Sequence, residues 1–341
     1  MDKLKATGPA DILATIPHTL GFAPTNSLVL IALHRDRALG ATLRIDLPQL
    51  HPTGAADYIA GLIRQDTEAI AVLTAIYDED APHGHWPDHG DYTRLVDALE
   101  DAGLPVMDGW HITADSYSSL TCQDACCPPE PLEQVKDSAV NAGLVFNGST
   151  YAAEQGVPVH PGPAPELEER IKERIMAVEV DALTEDIFDF MQPAMITARL
   201  EWECALGTEP GEETAAVLLA QIVRKPVRDR IMADMIGAPA DEEGMKQAIL
   251  GRAKSVDWER ALKFQALTLH LCAYAPAEIR ADLLTMAGYL EWYKGRASNA
   301  GDLFAQAQQA KPGHRLSTLL EMMLSRGEVP LVATSGKTAF K

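Results

Sequence analysis

Gly156-Val-Pro-Val-His-Pro-Gly-Pro-Ala-Pro165, with four prolines in ten residues, runs directly into Glu166-Leu-Glu-Glu-Arg-Ile-Lys-Glu-Arg-Ile175. The fold is decided at this join, because the hydrophobic period changes there. Downstream, Leu167, Ile171, Ile175 and Val178 fall on one helical stripe. Glu166 with Arg170 and Glu168 with Lys172 have the i,i+4 spacing of supporting ion pairs. Upstream the period is two. The expectation is an N-terminal α/β domain over 1–155, a mixed sheet with flanking helices. A Pro-rich linker over 156–165, a C-terminal all-α helical domain over 166–330 and a flexible tail over 331–341 complete it.

Working back from the join, Asp11 to Leu20 reads as a short helix closed by Gly21-Phe-Ala-Pro24. Leu28 to Leu33 is an apolar strand, and His34 to Arg37 a turn. From Ala38 to Asp46 the side chains alternate, with Ala41, Leu43 and Ile45 on one face and Thr42, Arg44 and Asp46 on the exposed one. Thr53 is placed to cap a helix carrying Tyr58, Ile59, Leu62 and Ile63. A strand over Ile70 to Tyr77, a helix capped by Asp91 and closed by Gly103, and a strand over Leu104 to Thr113 follow. This alternation implies parallel neighbours joined by right-handed crossovers. Ser138 to Gly143 reads as a helical turn and Leu144 to Phe146 as a short strand.

Beyond the join, Val227, Ile231 and Met235 repeat the helical stripe, as do Trp258, Leu262, Leu269 and Ala273. Gly288, Gly295, Ala300, Phe304, Ala307 and Pro312 have the spacing of one tetratricopeptide-like helix pair. An ordinary helical hairpin of a bundle reads the same way, since no second full repeat is present. Leu316, Leu319, Leu320, Met323 and Leu324 form a further helix that would cap the stack.

The composition is that of a globular protein: 341 residues, 47% hydrophobic and 23% charged. Net charge is −20, from 49 acidic and 29 basic side chains, with no Lys/Arg cluster longer than a few residues. Direct nucleic-acid binding is therefore not expected. No apolar run approaches the ~20 residues of a spanning helix, and Met1 to Ala10 lacks a signal core, so a cytoplasmic protein without membrane contact is expected. Five cysteines, an odd number, argue against a disulfide framework.

Cys122, Cys126 and Cys127 lie within six residues, whereas Cys204 and Cys272 are scattered as buried structural cysteines usually are. Three readings of the cluster stand: a packed structural loop, a zinc site completed by His111 or a loop histidine, and a nucleophilic thiol. The flanking Pro128-Pro129 predicts that Cys126 or Cys127 is buried against the sheet. His83, His85 and His89 crowd one loop, read as solvated surface before metal site. Ser27, Arg44 and Asp46 form a small polar cluster in which the Arg44 fork would hold an anionic ligand.

Ala10-Asp-Ile-Leu13, Gly21-Phe-Ala-Pro24, Asn26-Ser-Leu-Val29, Leu43-Arg-Ile-Asp-Leu-Pro48 and Cys126-Cys-Pro-Pro-Glu130 occur in an order and spacing that resembles the bacterial domain of unknown function 4192 family. The likeness covers most of residues 6–330. That family has no established reaction, so the resemblance implies kinship and no catalytic residue. The functional expectation is a non-enzymatic interaction or regulatory protein with a protein partner and no cofactor. The alternative is a metal- or thiol-dependent enzyme, with possible zinc, acting on a small molecule at the strand ends beside the cysteine loop.

Overall fold

The structure, a computed structural model, describes residues 4–79, 89–122, 127–178, 192–334 and 338–340. The chain divides into two compact units, Met1–Gln155 and Gly156–Phe340. In the first, α1 (Pro9–Leu20) precedes the hairpin β1 (Ser27–His34) and β2 (Leu39–Asp46). Then come α2 (Ala55–Ile63), β3 (Ala69–Tyr77), α3 (His89–Asp101), β4 (Val106–Ile112), β5 (Ser116–Ser119), β6 (Glu130–Pro131), α4 (Glu133–Lys136) and α5 (Ala139–Phe146). The sheet order is β2-β1-β3-β4-β5-β6.

Among the described strands only β3 and β4 pair in parallel, across the α3 connection. The first crossover, from β2 through α2, steps over β1 and sets β3 antiparallel to it. Parallel neighbours were expected for both steps. The hairpin explains the difference, since β1 already occupied the position beside β2. On one face Leu28, Leu30, Val72 and Ile76 pack with Ile59 and Leu95 from α2 and α3. On the other, Val29, Ile31, Ala75 and Trp110 pack with Leu13 and Ile16 from α1.

Several local expectations are corrected. Leu144 to Phe146 is the last turn of α5 and not a strand, because Ser138 Oγ accepts the Asn141 N–H and starts the helix there. Gly54, in a left-handed conformation, takes the N-cap of α2 in place of Thr53, and Tyr58 points outward. Asp91 sits inside the first turn of α3, where it pairs with Arg94 and His51.

At the far end of the hairpin, Asp66 Oδ2 accepts from the Ala41 N–H at 2.8 Å and contacts His34 Nε2 at 2.8 Å. Burial works against the Asp66 charge, but these bonds and the Glu68 N–H outweigh it and hold the carboxyl below its ordinary value.

The second unit is helical: α6 (Pro165–Ala177), α7 (Pro193–Ala205), α8 (Glu212–Ile222), α9 (Lys225–Met235), α10 (Glu242–Ile249), α11 (Trp258–Leu271), α12 (Ala277–Tyr293), α13 (Ala297–Ala310) and α14 (Arg315–Ser325). Ile171 is fully buried and Leu167 and Ile175 pack beside it, while Lys172 reaches Glu168 at 2.8 Å. Arg170 instead bonds Glu212 on α8 at 3.0 Å, so that pair joins two helices. On α11 the inward face is Ala261, Phe264, Leu267 and Leu271, and Leu262 is exposed. Tyr289 and Tyr293 both donate to the Ala248 carbonyl, at 3.0 and 2.6 Å.

α12 and α13 pack closely against each other. A Cβ at Gly288 would stand 2.5 Å from Phe304 Cε1, and Ala300 and Ala307 are fully buried in the same seam. Gly295, at φ +79°, makes the turn between the two helices.

The segments expected to be linker and free tail pack on this unit. Val157 and Val159 join its core, Gly156 N–H donates to Asn299 Oδ1 at 3.2 Å, and Arg280 Nη2 donates to the His160 carbonyl at 2.5 Å. Trp258 Nε1–H donates to the Thr338 carbonyl at 3.1 Å, and the Phe340 ring stands edge-on to Trp258 at 5.2 Å. Proline spacing and polarity suggested chain without fixed partners, but the partners lie far away in sequence.

Two predictions follow from this packing. Gly288→Val should lower the stability of the helical unit by about 1–3 kcal/mol through overpacking, read by denaturant unfolding. Asp66→Asn should cost the α/β unit about 1–2 kcal/mol near neutral pH. Because the folded pKa of Asp66 is depressed, its contribution is present above the unfolded value near pH 4 and disappears as pH falls through the folded one. The two proteins should therefore converge in stability once the pH has fallen through the folded value of Asp66.

Candidate functional site

The carboxyl ends of β2, β3 and β4 lie at the same end of the sheet, the position where open α/β sheets bind ligands. Ser27 opens β1 there, directly opposite Asp46 on one side and Tyr77 on the other. Arg44, two pairs further in and opposite Val29, shares the α1 face with them. Its Nε donates to Ser27 Oγ at 2.8 Å and its Nη2 to Asp46 Oδ1 at 2.6 Å. Ser27, Arg44 and Asp46 are thus brought together.

Arg44 was expected on an exposed face, yet its side chain is only 9% exposed, against 48% for Asp46. The cover comes from α1. Gly21, at φ +86°, ends that helix and turns the chain so that the Phe22 ring lies 5.6 Å from the Arg44 guanidinium. An anion reaching Arg44 would have to displace Asp46.

A second cluster lies on α1 and was missed in the sequence. His18 is buried, with Nδ1 2.9 Å from Ser149 Oγ and Nε2 2.9 Å from Asn141 Oδ1. Tyr151 stands edge-on to the imidazole at 4.8 Å. Tyr151 also neighbours Tyr77, whose hydroxyl is pushed well above its ordinary value, first by burial and then by that second phenol. The residues are 123 and 131 positions apart, so no local spacing could reveal them. The available signal was a histidine at the i+4 position from Ala14 and i+7 from Asp11, on the inward side of α1 with Leu13, Ile16 and Leu20.

The cysteine cluster is only partly described, since Cys126 lies outside the described residues. Cys122, half-buried, follows β5, and Cys127 is exposed. Burial against the sheet was expected for at least one of Cys126 and Cys127; Cys127 is not that residue. Pro128 restricts its backbone without turning the thiol inward. His111, the penultimate residue of β4, is buried on the face opposite Trp110, Ile112 and α1. Among the described residues no three Cys, His, Asp or Glu side chains stand together as a metal site, so Cys122, Cys127 and His111 do not converge by themselves. His83 and His85 lie outside the described residues, as does the His89 side chain. Cys204 is exposed and not the structural cysteine expected. Cys272 is buried, its thiol pushed up to about 12 by desolvation.

In the helical unit the buried charges tie helices together. Asp282 receives Arg228 Nη1 at 2.6 Å and His314 Nε2 at 3.0 Å. Asp234 takes Arg230 at 2.7 Å and Arg199 at 2.7 Å. Glu291 pairs with Lys294 at 2.8 Å and receives Gln265 at 2.7 Å. Burial pulls the Lys294 ammonium below its ordinary value. No helix among the described residues is long and apolar enough to cross a membrane.

The chain belongs to the family described as a domain of unknown function (DUF4192), whose model matches residues 9–330 and so takes in both units. No curated protein and no solved structure matches it.

The thiols give a direct check on these placements. A thiol reagent should modify Cys204 in the native protein and reach Cys272 only on unfolding, as followed by mass spectrometry of the labelled peptides across a denaturant series.

Proposed function

We propose that the protein is an interaction protein whose helical unit receives an amphipathic helix of a protein partner along α14. The observation that supports this reading is the outer side of α14. Leu320 turns inward and is buried, while Leu319 and Met322 are 47% and 45% exposed, followed by Val329 and Leu331 at 53% and 50%. A helix that closes an array normally presents a polar outer face. Here an apolar i,i+3 pair is left open at the place where one more helix would continue the packing of α12, α13 and α14. Such a stripe suits the helix-in-groove mode of recognition. The net charge of −20 favours a partner whose helix is flanked by basic residues.

The test compares affinity capture by the wild-type protein and by a Leu319→Glu/Met322→Glu double variant. Both positions are solvent-facing, so the variant should fold with an unchanged melting curve. A partner retained by the wild type and reduced at least about tenfold with the variant is expected, the effect of ~1.4 kcal/mol or more lost from a contact. Equal recovery by both proteins would overturn the reading.

A further inference from the structure

His18, Asn141 and Ser149 share no residue with the α14 surface, so what they do goes beyond that reading and stands or falls separately. Their geometry has a direction. The Asn141 amide is oriented by its own second bond, because Nδ2 donates to the Lys136 carbonyl at 2.6 Å. Oδ1 therefore faces His18 Nε2, which must carry the ring proton to donate to it. Nδ1 is then left with its lone pair toward Ser149 Oγ at 2.9 Å and accepts the hydroxyl proton. A hydroxyl on a lone-pair nitrogen, with the opposite nitrogen fixed by a third group, is the arrangement that activates a serine nucleophile. The imidazole is inverted here, with Nδ1 toward the hydroxyl.

The backbone holds this arrangement firmly. Ala152 N–H donates to the Gly21 carbonyl and Ala23 N–H to the Ala152 carbonyl, both at 2.9 Å. These two bonds dock the 149–152 segment against the end of the helix that carries His18. Gly148, at φ +86°, reverses the chain just after α5, and Ser149 N–H returns to the Leu144 carbonyl at 3.0 Å. Ser149 is half-buried and Tyr151 is 39% exposed, so the hydroxyl sits beside solvent while its base is covered.

We propose that Ser149 is a nucleophile with His18 as its general base and Asn141 as the positioning residue, and that the site takes small carboxylic esters with a good leaving group. Ser149 Oγ bonds to the carbonyl carbon as its proton passes to His18 Nδ1. The carbon–oxygen bond to the leaving group breaks, and that oxygen takes the proton from His18. Water then attacks the acyl-serine, gives its proton to His18, and Ser149 Oγ leaves with that proton as the acid is released. The ester class follows from Asn141. A neutral amide sets the tautomer but offers the transient imidazolium less than a carboxylate would, so leaving groups that need little protonation are favoured.

The experiment uses the full chain and a fluorophosphonate probe, which loses fluoride to a serine made nucleophilic by a base. Labelling located at Ser149 by peptide mass spectrometry, and absent from Ser149→Ala, is expected. His18→Gln should slow it about 10²-fold or more. Asn141→Asp reports on positioning. A carboxylate at Nε2 should move the pH at which labelling is half-maximal upward, which a merely structural tether would not do. The other titratable groups to control for are the Tyr151 phenol and Asp11 on α1, whose carboxyl is held below its ordinary value by the Thr7 N–H. The assignment is overturned if native protein labels no faster than unfolded protein, if the label falls on another serine, or if neither His18→Gln nor Asn141→Asp changes the rate or its pH profile.

Discussion

Two backbone hydrogen bonds between Gly21–Ala23 and Ala152 organise the face of the α/β unit that carries its polar side chains. They join the end of the first helix to the last residues of the unit across a long chain separation, and they do so with groups that any sequence possesses. What the sequence had to supply was a residue at Gly21 able to hold φ +86°. From that turn follow the cover of Arg44 by Phe22 and the placement of Ser149 and Tyr151 beside His18. Without the turn the strands would still pair, but the edge of the sheet would be an open polar rim.

Much of the fold was legible because it rests on local regularities. Leu28 to Leu33 and Ile70 to Tyr77 are apolar enough to be strands buried on both faces, and the stripe through Leu167 and Ile171 could only be a helix. Gly288, Ala300, Phe304 and Ala307 marked the tight seam between α12 and α13 by size alone. Leu144 to Phe146 misled because a short apolar run has no period, and the cap that decides it lies at Ser138. The segments around Val157 and Thr338 misled for a different reason: their hydrogen-bond partners, Asn299 and Trp258 among them, are nowhere near in sequence. The polar site divides in the same way. Ser27, Arg44 and Asp46 sit on adjacent strands of one hairpin and could be grouped from its register. His18, Asn141 and Ser149 meet only through tertiary packing.

The charge of the chain is unevenly deployed. Arg228, Arg230 and Lys294 are almost fully covered, each against a carboxylate on its own helix or a neighbouring one. Single members of such groups cannot be removed cheaply, because the partner is left charged and out of water. These cations contribute little to the field outside, while acidic residues such as Glu213 and Glu259 stand at 86% and 80% exposure. The net charge of −20 raises the encounter rate with basic molecules and makes it sensitive to salt.

The docking of residues 338–340 has an optical consequence. Trp110, Trp202 and Trp292 are almost entirely enclosed, whereas Trp258 is partly open and carries Phe340 on its edge, with Lys294 and Arg296 on the other sides of that ring. Release of the segment would expose the Trp258 indole and break its bond to the Thr338 carbonyl, leaving the three enclosed indoles as they were. Trp258 is thus an intrinsic fluorophore placed where the chain folds back on itself, and access of a neutral quencher to it reads whether that contact is made.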